Sequence, residues 1–194
     1  IRRPPRSTRK ESSAASDVYK RQVTGRTCGL RNRKEKREVR KMIRRDKPLV
    51  LTVSPPCTLF SIANQGPISP VDLAGAKELM RFAVEMCEMQ LKGDREFVLE
   101  QPLTSRALVL EPVTKLIATR GVISTEFHQC MYGLTAVDHL GSAPADKPTR
   151  VLTSHPALAE VLTRRCDGSH RHAQLLGKSA RGPPNTLTTC ARLS

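Results

Sequence analysis

A chain of 194 residues, 38% of them hydrophobic, with four Phe, two Tyr and no Trp, has the length of one ordinary domain and material for a modest core. Its 33 Lys and Arg against 18 Asp and Glu give a formal charge of +15, a field that favours polyanions, nucleic acid above all, and disfavours basic partners. No run approaches the roughly 18 apolar residues needed to span a bilayer, and no apolar signal-like segment stands near the start, so neither a membrane span nor secretion is expected.

Residues 1–22, IRRPPRSTRKESSAASDVYKRQ, have almost no apolar residues and no helical or strand period, and read as a disordered basic tail. The string also resembles the translation of a sequencing adaptor joined to a transcript, which places it outside the fold. It holds seven basic and two acidic residues, so the remainder stays strongly basic. Residues 23–178 are expected to form the folded domain, its own N-terminal part lying upstream of Val23, and residues 179–194 an irregular tail.

Residues 30–46, LRNRKEKREVRKMIRRD, predict a helix with a narrow buried edge at Val39, Met42 and Ile43. Arg40, Arg44 and Arg45 on it are candidates for phosphate contact; a solvated helix face accounts for them equally well. Pro48 discourages continuation, and the apolar run from Leu49 to Val53 predicts a short buried strand. Residues 71–91 carry apolar side chains at helical spacing: Leu73, Ala76, Met80, Ala83, Cys87 and Leu91. Cys87 reads there as a buried apolar thiol.

Gly93 and Asp94 predict a turn, then Phe97-Val98-Leu99 a second strand ending in Glu100-Gln101-Pro102. A helix over 105–118, disturbed at Pro112, is followed by a third strand over 122–127. Val151-Leu152-Thr153 predicts a further strand, and Ser154 the N-cap of a helix with Pro156 in its first turn, running to about Arg165. Strands alternating with helices predict an α/β fold with a mainly parallel sheet, whose ligands sit at the C-terminal strand ends.

At the end of the first strand stands S-P-P-C-T-L-F-S, Ser54 to Ser61. Two prolines fix φ twice and hold the cysteine in one direction. Helix-like backbone after Cys57 would lower the thiol's pKa and suit it as a nucleophile; a rigid connection with a packed cysteine is the alternative. Glu100, past the second strand, is expected on the same rim.

SPPCTLFS resembles the P-C-x-x-F-S loop of DNA cytosine-5 methyltransferases, and F-V-L-E-Q-P resembles that family's strand ending in Glu-Asn-Val. The combination SPPCTLFS, EQP, HQCMYGL, KPTRVLTS and CDGSHRHAQLLGKSA is similar to the methyltransferase-like domain of retrotransposon-type polyproteins, over nearly everything after residue 22. The resemblance implies a partial Rossmann-like sheet with flanking helices. It implies that Cys57 attacks C6 of a flipped-out cytosine, in a loop formed by Ser54, Pro55, Pro56, Phe60 and Ser61. Glu100 would hold and protonate N3, and C5 would take a methyl group from S-adenosylmethionine. The family's glycine-rich Phe-x-Gly-x-Gly loop is absent, Glu-Asn-Val is Glu100-Gln101-Pro102, and no Gln-x-Arg-x-Arg element is visible; Gln129 to Gly133 stand near its expected place.

The six cysteines, Cys28, Cys57, Cys87, Cys130, Cys166 and Cys190, are unevenly spaced without a C-x-x-C pair, which predicts free thiols in a reducing, intracellular compartment, nuclear if the protein acts on DNA. Cys166, His170 and His172 nevertheless fall within seven residues. Zinc takes four such ligands, and Cys130 or His128 is the expected fourth. A polar turn with solvated histidines, and phosphate contact by Arg171, are the alternatives. The sequence therefore points to three candidate functions: a methyltransferase-like fragment acting on DNA, a non-catalytic basic nucleic-acid-binding module, and a small zinc module.

Overall fold

The computed structural model describes residue 30, residues 32–61 and residues 67–173. The tails expected at 1–22 and 179–194, and Cys28 and Cys190, lie outside the described residues. The chain divides into two units, Ile1–Arg45 and Asp46–Ser194.

In the first unit, helix α1 (Arg33–Asp46) forms from good helix formers with charges suited to its dipole: Glu35 in the first turn, Arg44 and Arg45 in the last. Asn32 caps it, its Oδ1 accepting from the Lys34 N–H at 2.8 Å. Ile43 is buried, Val39 and Met42 half-buried, as the stripe predicts; Arg40 is half-buried, Arg44 and Arg45 exposed. The chain leaves the helix through Lys47, at φ 44, because Pro48 disfavours helical backbone in the residue before it.

The second unit is a mixed α/β fold. A four-stranded sheet has the order β1 (Val50–Val53), β2 (Glu96–Pro102), β6 (Pro148–Thr153), β3 (Ile123–His128). β1 and β2 are parallel, with Val53 beside Leu99; β6 runs antiparallel to both β2 and β3. The expected mainly parallel sheet is thus corrected to a mixed one. The reason is the connections. Helix α2 (Pro70–Leu91) carries the chain back from β1 to β2, the crossover that parallel neighbours require. Between β3 and β6 there is no helix of that length, only the turn Gln129–Tyr132 and a hairpin of β4 (Thr135–Asp138) and β5 (Gly141–Pro144), so the chain returns in the opposite direction. Sequence patterning does not predict this hairpin, whose Val137 and Leu140 are exposed and leave no apolar alternation to find.

Phe97 and Leu99 of β2 and Leu152 of β6 face α2 and α3 (Glu111–Ile117) in the main core, with Met80, Cys87 and Leu116. The opposite parity, Val98 and Val151, packs with Phe127 and Leu162 beside α4 (Pro156–Val161). The expected stripe of α2 is the face it buries. The fully buried Gln90 at its end donates from Nε2 to the carbonyls of Pro48 and Glu96, both at 2.9 Å, and accepts from Arg95 Nε at 2.9 Å, tying the helix to the starts of β1 and β2.

Two expected helices are shorter. The segment 105–118 is a 3-10 turn (Arg106–Val109) and then α3, because the Pro112 ring excludes a continuous helix through Leu108. α4 is capped by His155, whose Nδ1 accepts from the Leu158 N–H at 3.3 Å, and not by Ser154. Ser154 is taken by the sheet: its Oγ accepts from the Phe97 N–H at 3.1 Å and donates to the Glu96 carboxylate. α4 ends at Val161, short of Arg165, because the N–H groups of Thr163 and Arg164 donate to the Tyr132 hydroxyl and the Arg164 carbonyl accepts from His128.

Candidate functional site

The S-P-P-C loop leaves β1 extended and closes in a 3-10 turn, Thr58–Phe60, in which the Phe60 N–H donates to the Cys57 carbonyl at 2.8 Å. Phe60, 3% exposed, anchors the turn in the main core. The Pro55 carbonyl accepts from Gln101 Nε2 at 2.8 Å, and Gln101 Oε1 accepts from Ser105 Oγ at 3.1 Å. The prolines therefore set the direction of the loop, and a buried amide of β2 sets its place.

Cys57 is half-buried. Burial pushes its thiol up from the ordinary value; its own backbone N–H and the Lys147 ammonium pull it down, and Glu100 pushes it up. The expected lowering by helix-like backbone is corrected: the residues after Cys57 form one short 3-10 turn, too small a dipole to offset desolvation.

Glu100 lies within β2, which runs on to Pro102, and not past its end as the sequence suggests. Its carboxylate joins four segments. Oε2 accepts from Ser54 Oγ at 3.2 Å; Oε1 accepts from Lys147 Nζ at 2.9 Å and from Gln129 Nε2 at 3.2 Å. Gln129 Nε2 also reaches Thr149 Oγ1 at 2.9 Å. So Ser54 and Glu100 meet at the C-terminal end of the parallel pair β1–β2, Cys57 follows three residues on in the same loop, close enough for the Glu100 charge to act on its thiol, and Phe60 anchors that loop in the core. Pro56 and Ser61 flank the thiol along the loop. Gln129 and Lys147 are site residues that sequence reasoning misses. Both stand inside the motifs HQCMYGL and KPTRVLTS, but nothing in a sequence says that residues 29 and 47 positions downstream return to Glu100. Arg40, Arg44 and Arg45 belong to the first unit.

A second cluster lies in the same unit as Glu100. Cys130, Cys166, His170 and His172 each place a ligand atom within 4.8 Å of the others, an arrangement that can hold a metal ion. Cys166 Sγ is 3.5 Å from His170 Nε2 and 3.4 Å from His172 Nε2, and the two rings meet edge to face at 4.5 Å. Cys130, not His128, completes the set; the backbone N–H of His128 donates to the Arg164 carbonyl at 3.0 Å. Burial, and then Cys166 beside it, raise the Cys130 thiol, the electrostatic cost of two sulfurs converging on one point. The Gly168 N–H donates to Cys166 Sγ at 3.3 Å, in a turn that needs φ +77 and therefore glycine.

No protein-family model, no curated protein and no solved structure matches the chain.

Proposed function

We propose that the second unit is the base-handling part of a DNA cytosine-5 methyltransferase-like domain with a Rossmann-like sheet, of the retrotransposon-polyprotein kind. The observation that carries this reading is that the loop bearing Cys57 is fastened to Glu100 at adjacent strand ends by the Ser54–Glu100 hydrogen bond. A thiolate and a carboxyl so placed suit addition to an electron-poor ring. The Cys57 thiol gives its proton to the Glu100 carboxylate, its sulfur bonds to C6 of cytosine, and Glu100 passes that proton on to N3. The resulting enamine carries its electron pair at C5, where S-adenosylmethionine, if bound, would supply the methyl group; the glycine-rich loop that holds it in the resembled family is absent from this sequence. Loss of the C5 proton to water would then expel the thiolate, and return of the N3 proton to Glu100 would restore the neutral ring. Oε1 of Glu100 is held by Lys147 and Gln129, so Oε2, which accepts from the Ser54 hydroxyl, is the edge that meets the base. A basic chain supplies the grip on phosphates that a flipped-out base requires, and a nuclear site of action follows from a DNA substrate. Zinc is the ion that suits two thiols and two imidazoles, as a structural companion to this site.

The test is covalent capture. A duplex carrying 5-azacytosine, whose ring accepts a thiolate without a methyl donor, should form an adduct that peptide mass spectrometry maps to Cys57 and that Cys57→Ala abolishes. A duplex that binds without any adduct at Cys57 would count against the reading. The raised Cys57 thiol favours a second one, a non-catalytic nucleic-acid-binding module. It predicts strongly salt-dependent binding and no adduct.

A further inference from the structure

The two residues that grip Glu100 from the antiparallel side of the sheet are both tied to the Cys/His cluster. Gln129 immediately precedes Cys130 in the same turn. Lys147 follows Asp146, whose N–H donates to the Ala173 carbonyl at 3.1 Å; the Ala173 N–H in turn donates to the Pro144 carbonyl at 2.8 Å, and Ala173 follows His172. The Gln129 N–H also donates to the Lys147 carbonyl at 3.2 Å, so the two backbones touch directly.

The segment that supplies three of the four ligands has no regular structure between α4 and the bridge at Ala173. The Tyr132 hydroxyl holds its start at Thr163 and Arg164, both at 3.1 Å; beyond that its side-chain anchors are the ion pairs of Arg171 with Asp138 at 2.7 Å and of Arg165 with Glu126 at 3.0 Å, whose arginines reach into water. A tetrahedral zinc ion with bonds of about 2.3 Å to sulfur and about 2.1 Å to nitrogen sets those atoms about 3.6 Å apart. The two separations from Cys166 Sγ to the imidazole nitrogens, 3.5 and 3.4 Å, fit that edge length, and every other pair in the cluster lies within 4.8 Å. The Gly168 N–H on Cys166 is the outer bond that such a thiolate ligand uses.

We infer that one zinc ion bound by Cys130, Cys166, His170 and His172 clamps the 166–173 segment to the 129–132 turn and thereby fixes Gln129 and Lys147 against Glu100. The consequence for Glu100 rests on the function proposed above; the ion and the clamp do not. Gln129 and Lys147 are positioning residues in this scheme, and the metal acts through them.

The test uses the full chain, loaded with zinc or with cobalt(II), dialysed, and compared with its metal-free form. Elemental analysis should find one ion per chain, and cobalt should show the intense visible bands of tetrahedral thiolate coordination. Amide hydrogen exchange should speed up about tenfold or more over 128–134 and 145–149 on metal removal, while 80–100 keeps its protection. Cys130→Ser should weaken zinc by more than the roughly 10–100-fold that an outer partner is worth. His172→Cys, which keeps four ligands, should retain both ion and protection, and it decides the matter if Cys130→Ser fails to fold. Less than about a tenth of an ion per chain after loading, or octahedral cobalt, overturns the site. One ion bound with unchanged exchange over 128–134 and 145–149 overturns the clamp. If the ion and the clamp are found and Cys57 still forms no adduct, the methyltransferase reading falls and the metal centre stands.

Discussion

Cys57 sits between two opposite charges and half out of water, and each influence has a sign that substitution can read. Lys147→Met removes a pull downward on the thiol, so its pKa should rise further; Glu100→Gln removes a push upward, so it should fall. The pH dependence of alkylation by iodoacetamide, mapped to Cys57 by mass spectrometry, measures both, and equal profiles in the two variants would show that neither charge reaches the sulfur. Cys87 shows burial without such neighbours being decisive. Its thiol, wholly buried on the α2 stripe, is pushed far up by desolvation. A thiol raised in the folded state contributes stability that is complete below the unfolded thiol's pKa and fades as pH rises past it, because the unfolded chain ionises first. Resistance to urea should therefore fall on the alkaline side, and Cys87→Ala should flatten that dependence while lowering stability at neutral pH. The burial of Cys87 follows from helical spacing alone; the charges around Cys57 do not, since Lys147 is brought there only by β6.

At the scale of elements, the loop after β1 is held by one aromatic ring and one amide. Phe60→Ala should cost about 3–5 kcal/mol, the range for emptying a buried aromatic site, and should speed alkylation of Cys57 because the turn loses its anchor. Unchanged alkylation in a folded variant would mean that the prolines suffice. Gln90→Leu leaves the part-buried Pro48 and Glu96 carbonyls without this donor, a loss of about 1 kcal/mol for each, read from urea midpoints. The long helix α2 is plain in the sequence because a 22-residue apolar stripe has no other regular use. Periodicity overextends α3 and α4 because their limits are set from outside it, by the Pro112 ring and by the Tyr132 hydroxyl. A thin polar hairpin such as β4–β5 leaves no apolar period at all.

For the molecule as a whole, charge is the dominant long-range property. Binding to duplex DNA should weaken steeply with salt, and Arg44→Ala should reduce the logarithmic slope by about one phosphate contact if α1 grips the backbone. Cys57→Ala should leave that slope unchanged, which separates grip from chemistry. A slope near zero would remove nucleic acid as the partner.

The sequence by itself determined the basic charge, the strand before the S-P-P-C loop, the face of α2, and three of the four residues of the Cys/His cluster, because each is a local matter of spacing or of side-chain type. Tertiary structure alone decided the reversal of β6, the place of Cys130 rather than His128 in that cluster, and the arrival of Gln129 and Lys147 at Glu100. Those outcomes depend on where the connections between strands let the chain return, and a connection that lacks a crossover helix sends its strand back antiparallel.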